Sequence, residues 1–273
     1  MKRFIGLLVL TLFAGNTFAQ DISQGNVPAV VLNAFQVKFS SATDVKWKLG
    51  KGNYQIDFEV NNKDNELIMS DRGIILQHLQ DLYVSEIPKV VLETIKSKVI
   101  FFDVSDAERI EGASKISYKI KLEINDKNHE FLIDETGNLL KYTKELKDRE
   151  VPSAIAALIK TKYGDLDLDD AMFKEENAKV TYILKGEIND MEHVFKFDDK
   201  ANILKHEKDL RNSEVPILVM NSVKTAYNGY EIRDADLTEE GGKVIYTLQM
   251  RKSNEKIYVI FSSEGKILEV RKG

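Results

Sequence analysis

Apolar and polar residues alternate in several stretches of about eight residues, and each stretch follows a segment with helical periodicity. In residues 117–124 every second side chain is apolar, starting at Tyr118, and residues 53–60 show the same pattern from Tyr54. A period of two is typical of antiparallel strands with one buried face. The apolar spacing in residues 152–163 instead predicts a helix of about three turns.

The prolines mark a repeat. All of them follow Val or Ile, and they lie 60, 64 and 64 residues apart, at Pro28, Pro88, Pro152 and Pro216. After the last three, an Asp recurs at 18 residues, a Tyr at 30 and a turn residue at 49. The first copy is shorter, with two residues missing on each side of Asp44. This period predicts four tandem units, residues 26–82, 83–146, 147–210 and 211–273, pairing as 26–146 and 147–273.

The content of one unit follows from its local signals. Proline near the first helical turn, preceded by Glu86, Glu150 or Glu214, indicates a helix start. Residues 125–128 and the turn at 134–137 connect successive strands, and a short strand is expected around Trp47. The sequence thus predicts an α+β fold in which one helix and four antiparallel strands repeat, with adjacent sheets joined edge to edge.

The first 19 residues have the pattern of an export signal. Lys2 and Arg3 precede an apolar run over residues 4–13, and the sequence predicts cleavage after Ala19. That run is shorter than the ~20 apolar residues of a membrane span, and no later run reaches this length. We therefore expect a periplasmic or secreted protein that does not insert into the membrane.

Charge and cysteine content exclude several classes of function. Without Lys2 and Arg3 the 39 basic residues fall to 37, against 44 acidic residues, a net charge of −7. Such a balance disfavours nucleic acid as a partner. The chain has no cysteine, so thiol chemistry and disulfides are excluded, and no cofactor is expected.

The histidines allow two interpretations. His129 and His193 occupy one repeated position, and His78 and His206 occupy another. We expect that duplication placed them in separate units, because no pair has the His-x-x-x-His spacing of a helical metal site. Convergence on a metal ion is the alternative.

One acidic segment resembles a calcium loop. Asp165, Asp167, Asp169 and Glu176 stand at positions one, three, five and twelve of the pattern, but Asp170 replaces the glycine needed at position six. A solvated connection from helix to strand is the preferred interpretation, and no metal site is predicted.

No catalytic residues are predicted. The sequence lacks a Gly-x-Ser-x-Gly motif and a phosphate-binding glycine-rich loop. Acidic pairs such as Glu175-Glu176 and Glu239-Glu240 fall in expected turns, where the burial that tunes a catalytic carboxylate is missing. We expect a protein that is not an enzyme.

Several motifs resemble the PepSY-like, beta-lactamase-inhibitor-protein-like (BLIP-like) domains exported by Bacteroidetes-type bacteria. The resemblance rests on Val27-Pro28 opening a helix, residues 42–47 before a strand, residues 54–58 and the Asp-x-x-Gly-x-Leu-Leu turn at 134–140. It implies a curved antiparallel sheet with helices on one face and the other face open. It also implies a protein or peptide partner, and does not imply inhibition of a beta-lactamase.

Strand alternation places apolar residues on the open face. If Phe131 and Ile133 point inward, their neighbours point outward, and the same logic applies in other units. The residues predicted to bind a partner are Ile68, Leu132, Ile183, Val194, Tyr258 and Ile260. Packing between units, or a register error of one residue, would bury them instead. We favour an exported binding module, with inhibition of a protein or peptidase as one form of that role. Self-association in the cell envelope is the main rival, and an enzyme is a weaker one.

Overall fold

The computed structural model describes residues 20–112 and 114–273. The expected signal segment and its cleavage after Ala19 lie outside these residues. Within them the α-helices are α1 Ala29–Lys38, α2 Lys89–Lys98, α3 Ser153–Lys162 and α4 Ile217–Ala226.

Every repeat continues from its helix into four strands. Repeat 1 contains β2 Thr43–Gly50, β3 Asn53–Val60, β4 Lys63–Ser70 and β5 Ile75–Asp81, after a short β1 at Gln20–Ile22. Repeat 2 contains β6 Asp103–Gly112, β7 Ile116–Ile124, β8 Lys127–Asp134 and β9 Leu139–Glu145. Repeat 3 contains β10 Asp167–Glu176, β11 Lys179–Ile188, β12 Met191–Asp198 and β13 Ile203–Asp209. Repeat 4 contains β14 Glu231–Glu240, β15 Lys243–Lys252, β16 Glu255–Ser262 and β17 Ile267–Lys272. The predicted tandem repeats of antiparallel strands are confirmed, and strands make up more of the described chain than helices do.

A short 3-10 turn precedes each helix, and in repeats 2 to 4 it is capped by the predicted glutamate. The carboxylate accepts the backbone N–H of the residue three positions earlier, at 2.8–2.9 Å. The pairs are Tyr83–Glu86, Lys147–Glu150 and Arg211–Glu214. Each glutamate therefore satisfies an N–H that the 3-10 turn leaves unpaired, in addition to its favourable position near the helix N-terminus.

The chain divides into two compact units. Unit 1 contains the described residues up to Ile124 with Glu130–Leu140, and unit 2 contains Asn125–His129 with Lys141–Gly273. In unit 1 the strands from β1 to β7 pair antiparallel in chain order. In unit 2 the strands from β9 to β17 do the same. Consecutive repeats thus join edge to edge, as predicted, through β5–β6, β9–β10 and β13–β14.

The four residues missing from repeat 1 lie elsewhere than predicted. Trp47 follows Pro28 by the same 19 positions that separate Ala107 from Pro88, so no residue is lost before this point. Trp47 pairs with Ile56 as Ala107 pairs with Ile120. The missing residues therefore come from the two arms of the β2–β3 hairpin. Because both arms are shortened equally, the strand register is unchanged and every side chain stays on the same face of the sheet.

Helices pack against one face of the sheet in each unit. Val31 and Phe35 of α1 contact Trp47, Ile56 and Phe58 in unit 1. In unit 2, α3 packs on β11 and β12, and α4 packs on β15 and β16. Each fully buried aliphatic or aromatic side chain contributes roughly 1.5–3 kcal/mol to the free energy of unfolding. We call the opposite face of the sheet the helix-free face.

The tight turn before the last strand of each repeat needs a left-handed residue. Its φ is +75° at Gly73, +90° at Gly137 and +78° at Gly265, but Ala201 adopts +62° in repeat 3. A Cβ atom at Gly137 would lie 2.4 Å from Val90 Cγ2. Position 154, the equivalent of Val90 in repeat 3, is alanine, so the helix leaves room for the methyl group of Ala201. The comparison holds for repeat 2, whereas at Gly73 and Gly265 the nearest atom is a helix backbone carbonyl, of Val30 and Leu218 respectively.

Candidate binding face

Three apolar side chains cluster on the helix-free face of β10, β11 and β12 in unit 2. Met172 lies directly opposite Ile183. Val194 lies opposite Lys185 and is therefore the diagonal neighbour of Ile183 across the β11–β12 pair. All three are half-buried, and cross-strand neighbours at these positions are close enough to touch. We call Met172, Ile183 and Val194 the first apolar patch.

A second apolar patch lies on the same face at β15 and β16. Ile260 is opposite Thr247 and Tyr258 is opposite Gln249. Ile245 is two residues from Thr247 and is the diagonal neighbour of Ile260. Ile245, Tyr258 and Ile260 are half-buried and form the second apolar patch.

Two aspartates face each other on β13 and β14, the strands between the two patches. Asp209 is directly opposite Asp236 in the register of this pair. Burial, followed by the charges of Asp234, Asp209 and Glu207, raises the pKa of Asp236 to about 7. Burial, followed by Glu192 and Asp234, also raises the pKa of Asp209. Negative charge on this acidic pair at neutral pH therefore destabilises the folded protein.

Replacing the more strongly perturbed aspartate should stabilise the protein above neutral pH. The folded-state pKa of Asp236 lies above its unfolded value, so folding binds a proton and the contribution to stability is lost as pH rises through 7. Asp236→Asn should raise the free energy of unfolding at pH 8 by about 2 kcal/mol, a value reduced from the full shift because the side chain is partly exposed. Urea denaturation at pH 8 and pH 4 measures this. Equal stabilisation at both pH values would contradict the assignment, because at pH 4 the carboxyl is already protonated.

The six residues predicted to bind a partner divide by their exposure. Leu132, Ile183, Val194, Tyr258 and Ile260 are half-buried and alternate with core residues on their strands. Ile68 is 6% exposed, so its predicted exposure is wrong. It lies on an interior strand, directly opposite Gln55 on β3 and Gln77 on β5, so strands flank it on both sides.

Sequence reasoning missed several residues of the helix-free face. Met172 and Ile245 complete the two patches, and Ile110 in unit 1 lies on this face at 7% exposure. Asp209 and Asp236 come from different repeats. The alternation within β14 and β15 is a signal for Ile245, but the Asp209–Asp236 contact depends on the register between repeats.

Buried polar pairs occupy the helix-covered face at one repeated location. The paired atoms are Asn65 Oδ1 with His78 Nε2 at 3.0 Å, His129 Nδ1 with the Tyr142 hydroxyl at 2.9 Å, and His193 Nδ1 with His206 Nε2 at 3.0 Å. The members of each repeat-equivalent histidine pair lie in different repeats, but His193 and His206, which both belong to repeat 3, contact each other. The pair results from a histidine at both repeated positions of the same copy.

The His193–His206 pair extends to a carboxylate. His206 Nδ1 donates to Glu239 Oε2 at 3.0 Å, so its Nε2 accepts the Nδ1–H of His193, an assignment made from the hydrogen-bond network. Burial, followed by the charge that His206 carries when protonated and by the charge of Lys208, lowers the pKa of His193 to about 4. Burial also lowers the pKa of His206. Both rings are therefore neutral at physiological pH.

A groove of about 330 Å³ lies beside this pair and is lined by lysine, arginine and glutamate side chains as well as by Tyr163. Its cations are already engaged: Lys208 Nζ donates to Glu214 at 2.7 Å, and Arg211 donates to the Asn189 carbonyl at 2.9 Å. These two cations already have partners within the protein, so we favour the helix-free face over the groove as the binding site.

The calcium-loop pattern lies on a strand. Asp167, Asp169 and Glu176 all belong to β10, where about 3.3 Å per residue spreads positions three to twelve over roughly 30 Å. Asp165 pairs with Lys160 at 2.7 Å. Among the residues with described positions, no group of three or more His, Asp or Glu side chains is placed to hold a metal ion.

Comparison with known families finds a clear match. The model of the PepSY-like, beta-lactamase-inhibitor-like family matches residues 16–77, 77–141 and 188–269, more than half of the chain. A search of curated proteins gives no match. In the ranges 20–112 and 114–273, no helix is long and apolar enough to cross a membrane.

Solved structures from Bacteroides are similar to parts of the chain. A BLIP-like protein from Bacteroides fragilis is 19% identical, covering 41% of this chain and 82% of its own, with a TM-score of 0.36. A DUF2874 family protein from Bacteroides ovatus is 22% identical, covering 46% and 94%, with a TM-score of 0.38. A Bacteroides eggerthii protein described as a candidate periplasmic protein is 17% identical, covering 43% and 88%, with a TM-score of 0.39.

Proposed function

Because this chain belongs to the PepSY-like family of beta-lactamase-inhibitor-like domains, we propose that it is an exported module that binds a protein or peptide through the helix-free face of unit 2. The module acts in the periplasm or outside the cell. Its role is not catalytic, because His193 and His206 are neutral and enclosed while its acidic pair lies on an open sheet face.

The arrangement of the helix-free face carries this proposal. Half-buried apolar side chains on β10–β12 and on β15–β16 flank strands β13 and β14, which carry the Asp209–Asp236 pair. Binding energy concentrates in apolar anchors that become fully buried, surrounded by contacts that exclude water. The two apolar patches supply such anchors, and Ile183 and Ile260 are their central members.

The acidic pair indicates the charge of the partner. The charges of Asp209 and Asp236 lower the free energy of unfolding of the unbound protein. A feature that costs stability is often kept for function. Burial is the main cause of the raised pKa of Asp236, and neighbouring carboxylates raise it further. A lysine or arginine placed between Asp209 and Asp236 would offset that repulsion. The partner therefore presents a basic side chain flanked by apolar ones. If that partner is an enzyme or peptidase, covering its active-site entrance inhibits it.

The test is capture of a partner by the full chain and loss of capture by a face variant. Ile183→Asp combined with Ile260→Asp should weaken binding of a protein captured from envelope or culture fractions by at least about 30-fold, the effect of losing one strong anchor. Captured proteins are identified by mass spectrometry, and affinity is then measured by calorimetry with the purified partner.

The matched control is Ile217→Asp on α4. Ile217 is 66% exposed and lies on a helix, so the same chemical change there should leave both binding and thermal stability unchanged. Equal loss of binding in the control and the face variant would overturn the proposal. If the face variant itself unfolds, the residues belong to the core, and a photo-crosslinker at the half-buried Thr247 on the same face then decides whether the partner touches it.

A further inference from the structure

Strand β17 has an open edge. In the described ranges it pairs with β16 alone, and all six of its residues are exposed. The corresponding strands of the earlier repeats, β5, β9 and β13, each pair with the first strand of the following repeat. An edge strand offers unpaired N–H and C=O groups to any strand that can lie beside it.

The exposure of one repeated position differs between the covered strands and the open edge. Its side chain is 6% exposed at His78, 5% at Tyr142 and 2% at His206, but 50% exposed at Val270. Val270 lies opposite the fully buried Val259 and therefore faces the helix-covered side. In repeat 4 an apolar side chain thus lies half in water at the place that a neighbouring strand covers in the other repeats.

The first strand of another such repeat would fit poorly beside β17. At the first three junctions the residue directly opposite this position is a glutamate, Glu111, Glu175 or Glu239, and the position itself is polar. Repeat 4 has Ile257 and Val270 where the others have a polar pair. A carboxylate opposite Val270 would find no polar partner, so the fitting strand places an apolar residue there.

The sequence of β17 is complementary to itself in one register. In antiparallel self-pairing that keeps the side chains on their own faces, registers centred on Leu268 or Arg271 pair only three residues of the strand, so the longest overlaps are centred on Glu269 or Val270. Centring on Glu269 or Arg271 sets like charges directly opposite each other, which is destabilising. Centring on Val270 sets Glu269 opposite Arg271 twice and brings the two valines together.

From this geometry we propose that two copies of the chain associate through their β17 strands, paired antiparallel with Val270 opposite Val270 and Glu269 opposite Arg271. The strand is six residues long, and interfaces of this size are weak. We therefore expect a monomer at low micromolar concentration and a growing dimer fraction at hundreds of micromolar. This association uses the backbone edge of the sheet, and its charged residues Glu269 and Arg271 lie directly beside Ile260 and Tyr258 of the second apolar patch.

Charge reversal tests the register. In the free chain Glu269 and Arg271 pair with each other on the same exposed strand, so substitutions there should not affect folding. Glu269→Arg or Arg271→Glu alone places like charges opposite each other twice and should weaken the dimer about tenfold or more. The double variant restores opposite charges and should recover wild-type dimerisation.

Sedimentation equilibrium of the full chain from 10 to 500 µM gives the dimer constant for each variant. Reversal of Lys89 and Glu93, an exposed i,i+4 pair on α2, is the matched control and should change nothing. Failure of the double variant to recover, a dimer indifferent to the single variants, a monomer throughout, or open-ended assembly would each overturn the proposal.

Discussion

Acidification from pH 7 to pH 4 should destabilise the wild-type protein by about 3 kcal/mol more than a variant in which the His193–His206 pair is made apolar. Repeat 4 supplies the replacement, because Ile257 and Val270 occupy the equivalent positions. The variant is therefore His193→Ile with His206→Val. It replaces both rings at once, so neither histidine is left without its partner. Glu239 loses its bond to His206 but is 38% exposed and can be hydrated, and this loss is the same at every pH at which the carboxylate is ionised.

The sign follows from the direction of the histidine pKa. The folded-state pKa of His193 is about 4, below the ordinary value of 6.5, so the unfolded chain binds a proton first as the pH falls. Stability contributed by the neutral ring is complete above pH 6.5 and is lost between about 6.5 and 4. Asp236 acts in the opposite direction over this range, but it is present in both proteins and cancels in the comparison.

Urea denaturation followed by far-UV circular dichroism at pH 7, 5.5 and 4 gives the required difference. Residual acid sensitivity is expected in the variant, because burial lowers the pKa of His78 to about 4 and also lowers that of His129. Parallel pH profiles for the wild type and the variant would show that His193 is protonated without cost in the folded state, and would contradict the buried hydrogen-bonded geometry.

The organisation within one repeat could be predicted from the sequence because its signals are local. Proline with a preceding glutamate determines the helix start, and the Asn125-Asp126 pair adopts φ values of +53° and +62° that fit a tight hairpin. Alternation correctly separates Leu132 from the buried Phe131 and Ile133. These features need no knowledge of the neighbouring repeat.

Contacts between strands of different repeats could not be predicted in the same way. The facing of Asp209 and Asp236 depends on the β13–β14 register, which no motif in either repeat specifies. Ile68 shows a second limit: its side chain points to the predicted face, but its exposure depends on what the flanking strands β3 and β5 place beside it. Alternation reports the direction of a side chain, whereas burial depends on neighbours that are distant in sequence.

Trp47→Ala should lower the free energy of unfolding of unit 1 by about 3–5 kcal/mol, the usual effect of truncating a buried tryptophan. The repeat alone suggests the opposite, because the equivalent residues Ala107, Ala171 and Ala235 are alanine. Each of these alanines accepts a backbone hydrogen bond from the leucine that ends the preceding repeat, at 2.7–2.8 Å, from Leu82, Leu146 and Leu210 respectively.

In repeat 1 the strand beside Trp47 is β1, only three residues long, with Ile22 opposite the tryptophan. The indole is 3% exposed and packs edge-on against Phe35, with ring centroids 5.3 Å apart. It therefore fills volume that neighbouring segments cover in the other repeats. Its Nε1 has no hydrogen-bond partner among the described residues, so truncation should cost packing and no hydrogen bond.

Trp47→Phe keeps most of the ring contacts and should lower the free energy of unfolding by less than half as much. Urea denaturation followed by circular dichroism compares the two, and a loss below about 1 kcal/mol for Trp47→Ala would mean that the core collapses onto alanine as it does in repeats 2 to 4.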